Sequence, residues 1–205
     1  MNAQKSLIRA ILAALFLSTG AALITYILFN ISLGIALSFA FLVISSLLAV
    51  YLYRLDATGR KQFLKTLLTA AIIGLMATAA YDISRVFVVW FFGWELSPFK
   101  AFKFFGEAIA GENTNPQTAF IVGAIYHVIN GVFFSISYCL LLGGRHWVFG
   151  ILWALGLEVL MFSIYPTWLN LDAVIKEFTV VSVSGHIVFG AVLGVLARRL
   201  KTKLN

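Results

Sequence analysis

Charged residues are scarce in this chain. Only 11% of its 205 residues are Asp, Glu, Lys or Arg, whereas a soluble domain carries about a quarter. There are 8 acidic residues against 15 basic ones, and the chain has only 3 prolines. Hydrophobic residues make up 61% of the chain and the mean hydropathy is +0.98. This composition predicts a protein that resides in a lipid bilayer.

Cysteine is also nearly absent. Cys139 is the only one and lies in an apolar run, which excludes a disulfide framework and a cysteine metal motif. The net charge of +7 does not indicate a nucleic-acid partner, because the basic residues sit at the ends of apolar segments. The chain has no nucleophile elbow, phosphate-binding loop, zincin or kinase pattern. The sequence therefore leaves open whether the protein is an enzyme.

The apolar segments predict an all-α, polytopic membrane protein. A helix needs about 20 apolar residues to span a bilayer. Six transmembrane helices are predicted at 8–29, 31–53, 66–92, 118–142, 147–167 and 179–199. They form one integral membrane domain over 1–205, divided into an N-terminal helix pair (1–62) and a four-helix core (63–205). The one long loop, 93–117, is expected to hold a short surface helix near 97–110, since its phenylalanines fall on one helical face.

Basic residues predict the orientation of the helices. The segments assigned to the cytoplasm hold Lys5, Arg9, Arg54, Arg60, Lys61, Lys65, Arg145, Arg198, Arg199, Lys201 and Lys203. The segments assigned to the outside hold only Lys100, Lys103 and Lys176, alongside five carboxylates. The positive-inside rule then places both termini in the cytoplasm of a multi-pass protein of the inner (plasma) membrane. Its expected partners are lipids and an unidentified small solute or lipid, and the sequence is compatible with a homo-oligomer.

A pattern with a spacing of four residues recurs in the last four predicted helices. On two of them, small residues lead to a carboxylate, as Gly74, Thr78 and Asp82 and again as Gly150, Ala154 and Glu158. The other two carry a histidine among small residues, as Gly123, His127, Gly131 and Ser135 and again as Ser182, His186, Gly190 and Gly194. Residues four apart share a helix face, and small residues on that face let helices approach closely in lipid. The pattern predicts a hairpin duplicated about a pseudo-twofold axis.

The four ionisable residues of this pattern fall at a common depth, about 10–15 Å below the outer helix ends. One hypothesis is a divalent-metal site, with Zn or Fe bound by His127, His186, Glu158 and Asp82. Asn130 and Tyr126 then support the ligands, and Arg85 forms an ion pair with Asp82 or Glu158. A second hypothesis is a proton-coupled transporter or channel that uses the same residues as a relay. A third is a neutralised polar network with a structural role.

Short motifs between 74 and 199 resemble the YagU-like group of bacterial integral membrane proteins. They comprise Gly74-Leu75-Met76-Ala77-Thr78, His127 with Tyr138, Gly150 with Pro166, and Gly185-His186 followed by Gly190 and Gly194. The resemblance implies an inner-membrane protein without an established catalytic activity and with a role in tolerance to acid or envelope stress. Asp82 and Glu158 are not fixed features of that group, which counts against a metal site that requires both. The first two helices lie outside the resemblance.

Overall fold

The structure, a computed structural model, describes residues 3–169 and 171–200, and that part of the chain consists of helices joined by short loops, with no strand. The helices are α1 (Ala3–Phe29), α2 (Leu33–Arg54), α3 (Ala57–Phe92), α4 (Lys100–Ala110), α5 (Pro116–Leu142), α6 (Val148–Phe162), α7 (Tyr165–Trp168) and α8 (Ile175–Ala197). A 3-10 turn at Asp172–Val174 precedes α8. Among the described residues, α1, α2, α3, α5 and α8 are long and apolar enough to cross a membrane. The protein is therefore a membrane-embedded helical bundle.

Helix α3 is longer than the predicted span 66–92, because it begins at Ala57. Asp56 caps it, with its side-chain oxygen accepting a hydrogen bond from the Gly59 amide at 2.9 Å. At the other end Gly93 adopts φ 64°, a left-handed conformation that glycine tolerates best. The boundary expected between 1–62 and 63–205 thus falls inside a continuous helix. The side chain of Lys5 and all of Lys201 and Lys203 lie outside the described residues.

The predicted span 147–167 is not one continuous helix. Helix α6 has 15 residues and ends at Phe162, and the four-residue α7 follows after Ser163 and Ile164. Pro166 explains the break. Its nitrogen has no hydrogen to donate to the Phe162 carbonyl, four residues earlier, and its ring clashes with that carbonyl. The chain turns there, and the amide of Leu169 donates to the Tyr165 carbonyl at 2.8 Å.

Four helices form an arc in the order α5, α3, α8, α6, each packed closely on the next. The ends of the arc, α5 and α6, touch each other only slightly. Helix α1 packs on the outer side of α5, where the ring of Phe16 meets Phe133 at 5.2 Å. Helix α2 packs mainly on α1. Helix α2 also reaches the core directly, since Phe41 meets Phe133 of α5 at 5.8 Å and Tyr51 meets Phe63 of α3 at 4.9 Å. The N-terminal pair is therefore joined to the core mainly through α1.

Helix α4 and the segment around α7 cover one end of the arc. The short helix expected near 97–110 begins at Lys100 and lies along the first turns of α5. The contact is close, because a Cβ at Gly106 would collide with the Ala119 backbone and one at Gly123 with the Phe102 carbonyl. The Phe105 ring stacks on Trp168 of α7 at 5.9 Å. These aromatic contacts build a cap above the four-helix arc.

The close contact between α6 and α8 predicts a strong position dependence for glycine replacement on α6. A Cβ at Gly150 would collide with the backbone of Gly190 and Gly194, whereas one at Gly156 meets nothing within 4 Å. We expect Gly150→Ala to destabilise the protein by about 1–3 kcal/mol, as overpacking does. The matched control Gly156→Ala should be neutral or stabilising by up to about 1 kcal/mol. Thermal unfolding of the purified variants in detergent measures both, and equal midpoints for the two would contradict the packing described here.

Candidate functional site

Two close helix pairs set the position of the polar residues. Between the antiparallel helices α3 and α5, Gly74 lies against Val132 and Ser135, and Gly131 lies against the Thr78 hydroxyl. Each step of four residues up α3 matches a step of four residues down α5. The next step places Asp82 opposite His127. The small residues thus act as the register that brings a carboxylate to an imidazole.

Helices α6 and α8 repeat this arrangement. Gly150 lies against Gly190 and Gly194, again in an antiparallel pair. Two steps of four residues along α6 lead from Gly150 to Glu158, and the matching steps back along α8 lead from Gly194 to His186. Each carboxylate therefore meets the histidine of its own hairpin.

The first pair joins Asp82 to His127. The Nε2 atom of His127 lies 3.1 Å from Oδ1 and 3.2 Å from Oδ2 of Asp82. On the other side, the Nη1 group of Arg85 donates to Oδ1 at 3.4 Å. Arg85 itself is only 5% exposed, and its guanidinium carbon lies 4.8 Å above the Tyr81 ring. Asp82 is thus neutralised by a buried cation and oriented by an imidazole.

The second pair joins Glu158 to His186. The Nδ1 atom of His186 lies 2.8 Å from Oε2 of Glu158 and 3.0 Å from the Ser182 carbonyl. Its hydrogen-bond alignment favours the carbonyl, and neither oxygen of Glu158 has an aligned hydrogen-bond donor among the described residues. Glu158 is 2% exposed. Glu158 therefore lacks the hydrogen bonds that normally accompany a buried carboxylate.

Tyr81 links the two pairs. Its ring centre lies 5.7 Å from that of His127 and 4.9 Å from that of His186. Sequence reasoning passed over Tyr81, because a tyrosine in an apolar helix is ordinarily a packing residue. Its position directly before Asp82 was the available signal, since Tyr81 lies on the neighbouring face of the same turn.

A cavity of about 110 Å³ lies between the two pairs. His127, His186, Arg85 and Asn130 line it, together with apolar side chains from α4, α5, α6, α7 and α8. Neither Asp82 nor Glu158 reaches its wall. The cavity therefore presents imidazole and guanidinium groups, while the carboxylates stand behind them.

Four buried polar atoms of the cavity residues have no hydrogen-bond partner within the described residues. They are the hydroxyl oxygens of Thr78 and Ser182, Nε of Arg85 and the Asn130 side-chain oxygen. Buried polar groups in proteins are almost always paired, with protein or with a bound molecule. The cavity thus has the polar capacity to hold a ligand or ordered water.

The residues predicted as a metal site divide into two pairs. Among the described residues, no group of three or more His, Cys, Asp or Glu side chains is placed to hold a metal ion. Asn130 lies at the cavity, and Arg85 pairs with Asp82. The Tyr126 hydroxyl donates to the Thr19 carbonyl of α1 at 3.0 Å. The supporting roles of Asn130 and Tyr126 stay predictions.

No family model, no curated protein and no solved structure matches this chain. The resemblance to the YagU-like group therefore stays a prediction. The site has to be interpreted from its own geometry.

The metal hypothesis has a direct test in the elemental composition of the purified protein. Binding by His127, His186, Glu158 and Asp82 predicts about one equivalent of Zn or Fe per chain, lost in His127→Ala because an imidazole ligand is removed. Mass spectrometry of protein purified without added metal measures it. His146→Ala, at an exposed histidine next to α6, is the control and should keep the metal. Metal-free wild-type protein would exclude the hypothesis.

Proposed function

We propose that the chain is a proton-coupled carrier of a small solute in the inner membrane. The observation that carries the proposal is the cavity flanked by two carboxylate–histidine pairs, with a buried arginine in its wall. Ionisable groups at membrane depth are costly and are found where protons, ions or substrates pass. Six transmembrane crossings and a duplicated hairpin belong to the same proposal.

The arrangement of charge supports coupling between solute and proton. Arg85 and Asp82 neutralise each other, which leaves Glu158 as the carboxylate without a permanent cation. His186 is its neighbour, and histidine gains and loses a proton near neutral pH. A proton shared by Glu158 and His186 keeps the site neutral when the cavity is empty. A charged solute in the cavity changes the most stable position of that proton.

A purely structural polar network explains the site less well. Such a network stabilises a fold when all its members are satisfied. Here Arg85 Nε, the Asn130 oxygen and the hydroxyls of Thr78 and Ser182 have no partner among the described residues and lie at a cavity wall. Unpaired buried donors and acceptors are destabilising unless a bound molecule completes them.

The geometry of α6 supports a sixth crossing. Its first end lies beside the last turns of α8, where Trp147 contacts Gly194. Its other end lies beside the first turns of α8, where the Phe162 ring meets Phe178 at 5.9 Å. Fifteen helical residues cover roughly 22 Å, and the segment through α7 extends the path. With six crossings, both termini lie on the side where the basic residues are concentrated.

The internal contacts support a duplication of hairpin α3–α5 as hairpin α6–α8. Asp82 and Glu158 occupy the same step relative to Gly74 and Gly150, and each meets a histidine from the second helix of its hairpin. Parallel repeats of this kind, with a site between them, are a common construction of carriers.

Proton flux into proteoliposomes tests the proposed relay. After an external acid pulse, we expect the protein to increase the rate at which the vesicle interior acidifies, as reported by an entrapped pH-sensitive dye. Potassium and valinomycin clamp the membrane voltage. Glu158→Gln should reduce the rate to about one tenth or less, because an amide cannot release a proton at this depth. The control is Glu112→Gln, which removes an exposed carboxylate between α4 and α5. A rate in Glu158→Gln equal to that of the wild type removes the relay.

Cysteine labelling tests the orientation. In a Cys139→Ala background, Thr58→Cys and Glu112→Cys each introduce a single exposed thiol. The first lies at the beginning of α3 and the second follows the end of α4. An impermeant maleimide on intact spheroplasts should label Glu112→Cys and reach Thr58→Cys only after lysis, because Thr58 lies beside the basic cluster. The reverse pattern would show that the termini face outwards.

A further inference from the structure

The two interfaces that a twofold axis would make equivalent differ in this protein. In the proposed duplication, the contact of α3 with α8 corresponds to the contact of α6 with α5. The first is closely packed and the second is nearly open. At the closed interface Gly185 allows Tyr81 and Arg85 to approach to within about van der Waals contact of its backbone. The residues that correspond to these at the open interface follow from matching Asp82 with Glu158 and His127 with His186. Tyr126 then corresponds to Gly185, Leu157 to Tyr81 and Met161 to Arg85.

Side-chain size accounts for this difference. Gly185 lacks a side chain, so α8 sits directly against α3. Tyr126 takes the corresponding place on α5, and its large ring is directed to α1, where its hydroxyl meets the Thr19 carbonyl. Helix α5 is thereby held against α1 and away from α6. The result is a gap between α5 and α6.

The gap is bounded above and below. Towards the basic end of the bundle, the ring of Tyr138 on α5 lies 6.0 Å from that of Trp153 on α6. Towards the capped end, Trp168 of α7 meets Tyr26 of α1 at 6.1 Å. Between these contacts lie Phe134, Leu157 and Met161, which also line the cavity. The opening is thus apolar at its edge and leads inwards to Arg85, His127 and His186.

We propose that the cavity binds a single-chain amphiphile with a carboxylate head, and that its chain extends through the gap between α5 and α6 into the bilayer. This inference rests on the proposed carrier function and names its substrate class. The guanidinium of Arg85, 5% exposed and with Nε unpaired, supplies the cation and donor that a carboxylate requires. The two imidazoles lie on either side and each offers the head group a second N–H donor when it is protonated, and the carboxylates stand behind them.

The charge balance favours a weak acid over a permanently charged phosphate. Arg85, Asp82 and Glu158 with one proton on the Glu158–His186 pair sum to zero. An entering carboxylate adds one negative charge, and one further proton, taken from water by the Glu158–His186 pair, forms one N–H or O–H bond and restores neutrality. A carboxylic acid can also leave with that proton on its own oxygen, which returns the pair to a single proton. Binding is therefore accompanied by the uptake of one proton.

Binding of radiolabelled octanoate to the protein in phosphatidylcholine nanodiscs tests the proposal. We expect the labelled octanoate to bind saturably and unlabelled octanoate to displace it strongly. Acetate should displace it only weakly because it has no chain, and octanol only weakly because it has no anionic head. Met161→Trp should weaken octanoate binding about tenfold or more by filling the gap. The matched control Leu160→Trp changes the adjacent residue of α6, which is 49% exposed and does not line the cavity, and should leave binding unchanged.

The head-group contact needs its own variant. Arg85→Gln should weaken binding about tenfold or more, but it leaves the Asp82 carboxylate without its cation and can impair folding. The double variant Asp82→Asn, Arg85→Gln removes both charges and should bind as weakly as the single variant while eluting as a monodisperse peak. Unchanged octanoate binding in the folded double variant would overturn the role of Arg85.

The two proposals fail in different ways. The proposed position of the octanoate chain would be overturned if acetate competed as well as octanoate does. It would also be overturned if Met161→Trp bound octanoate as the wild type does. Either result would leave the proton relay intact. Octanol competing as well as octanoate would overturn the carboxylate head. Absent proton flux with tight, chain-dependent octanoate binding would instead remove the carrier and leave a binding protein for amphiphiles.

Discussion

The close approach of small residues between antiparallel helices is the constraint on which the rest of this structure depends. Gly74, Gly131, Gly150 and Gly190 bring helix backbones so near that a methyl group would collide with the facing helix. In lipid, where no hydrophobic force drives helices together, such contacts provide the dispersion energy of association. They also set the register between helices. The facing of each carboxylate and histidine follows from that register and from a spacing of four residues.

Electrostatics in a medium without water then determines what the paired residues can be. Arg85 and His127 both lie within 3.4 Å of Asp82. Glu158 lies 2.8 Å from His186 and has no aligned donor among the described residues. The two carboxylates therefore have different surroundings, because a guanidinium group accompanies only the first.

The sequence predicted much of the site, and physical reasons account for what it missed. Spacing within a helix determines which residues share a face, so the pairing of Asp82 with His127 and of Glu158 with His186 follows from each hairpin alone. Spacing does not determine how two hairpins rotate against each other, and the convergence of all four groups on one metal was inferred from common depth. The break at Pro166 was likewise missed, because hydropathy is insensitive to a lost hydrogen bond in an apolar run.

The two interfaces of the arc differ in side-chain size. Gly185 of α8 lets α3 approach closely, whereas Tyr126 of α5 carries a large ring whose hydroxyl donates to the Thr19 carbonyl of α1. Helix α1 becomes part of the core for this reason, since it receives the Tyr126 hydroxyl and supports α5. The α3–α8 interface is therefore closely packed, whereas α5 and α6 make little contact with each other.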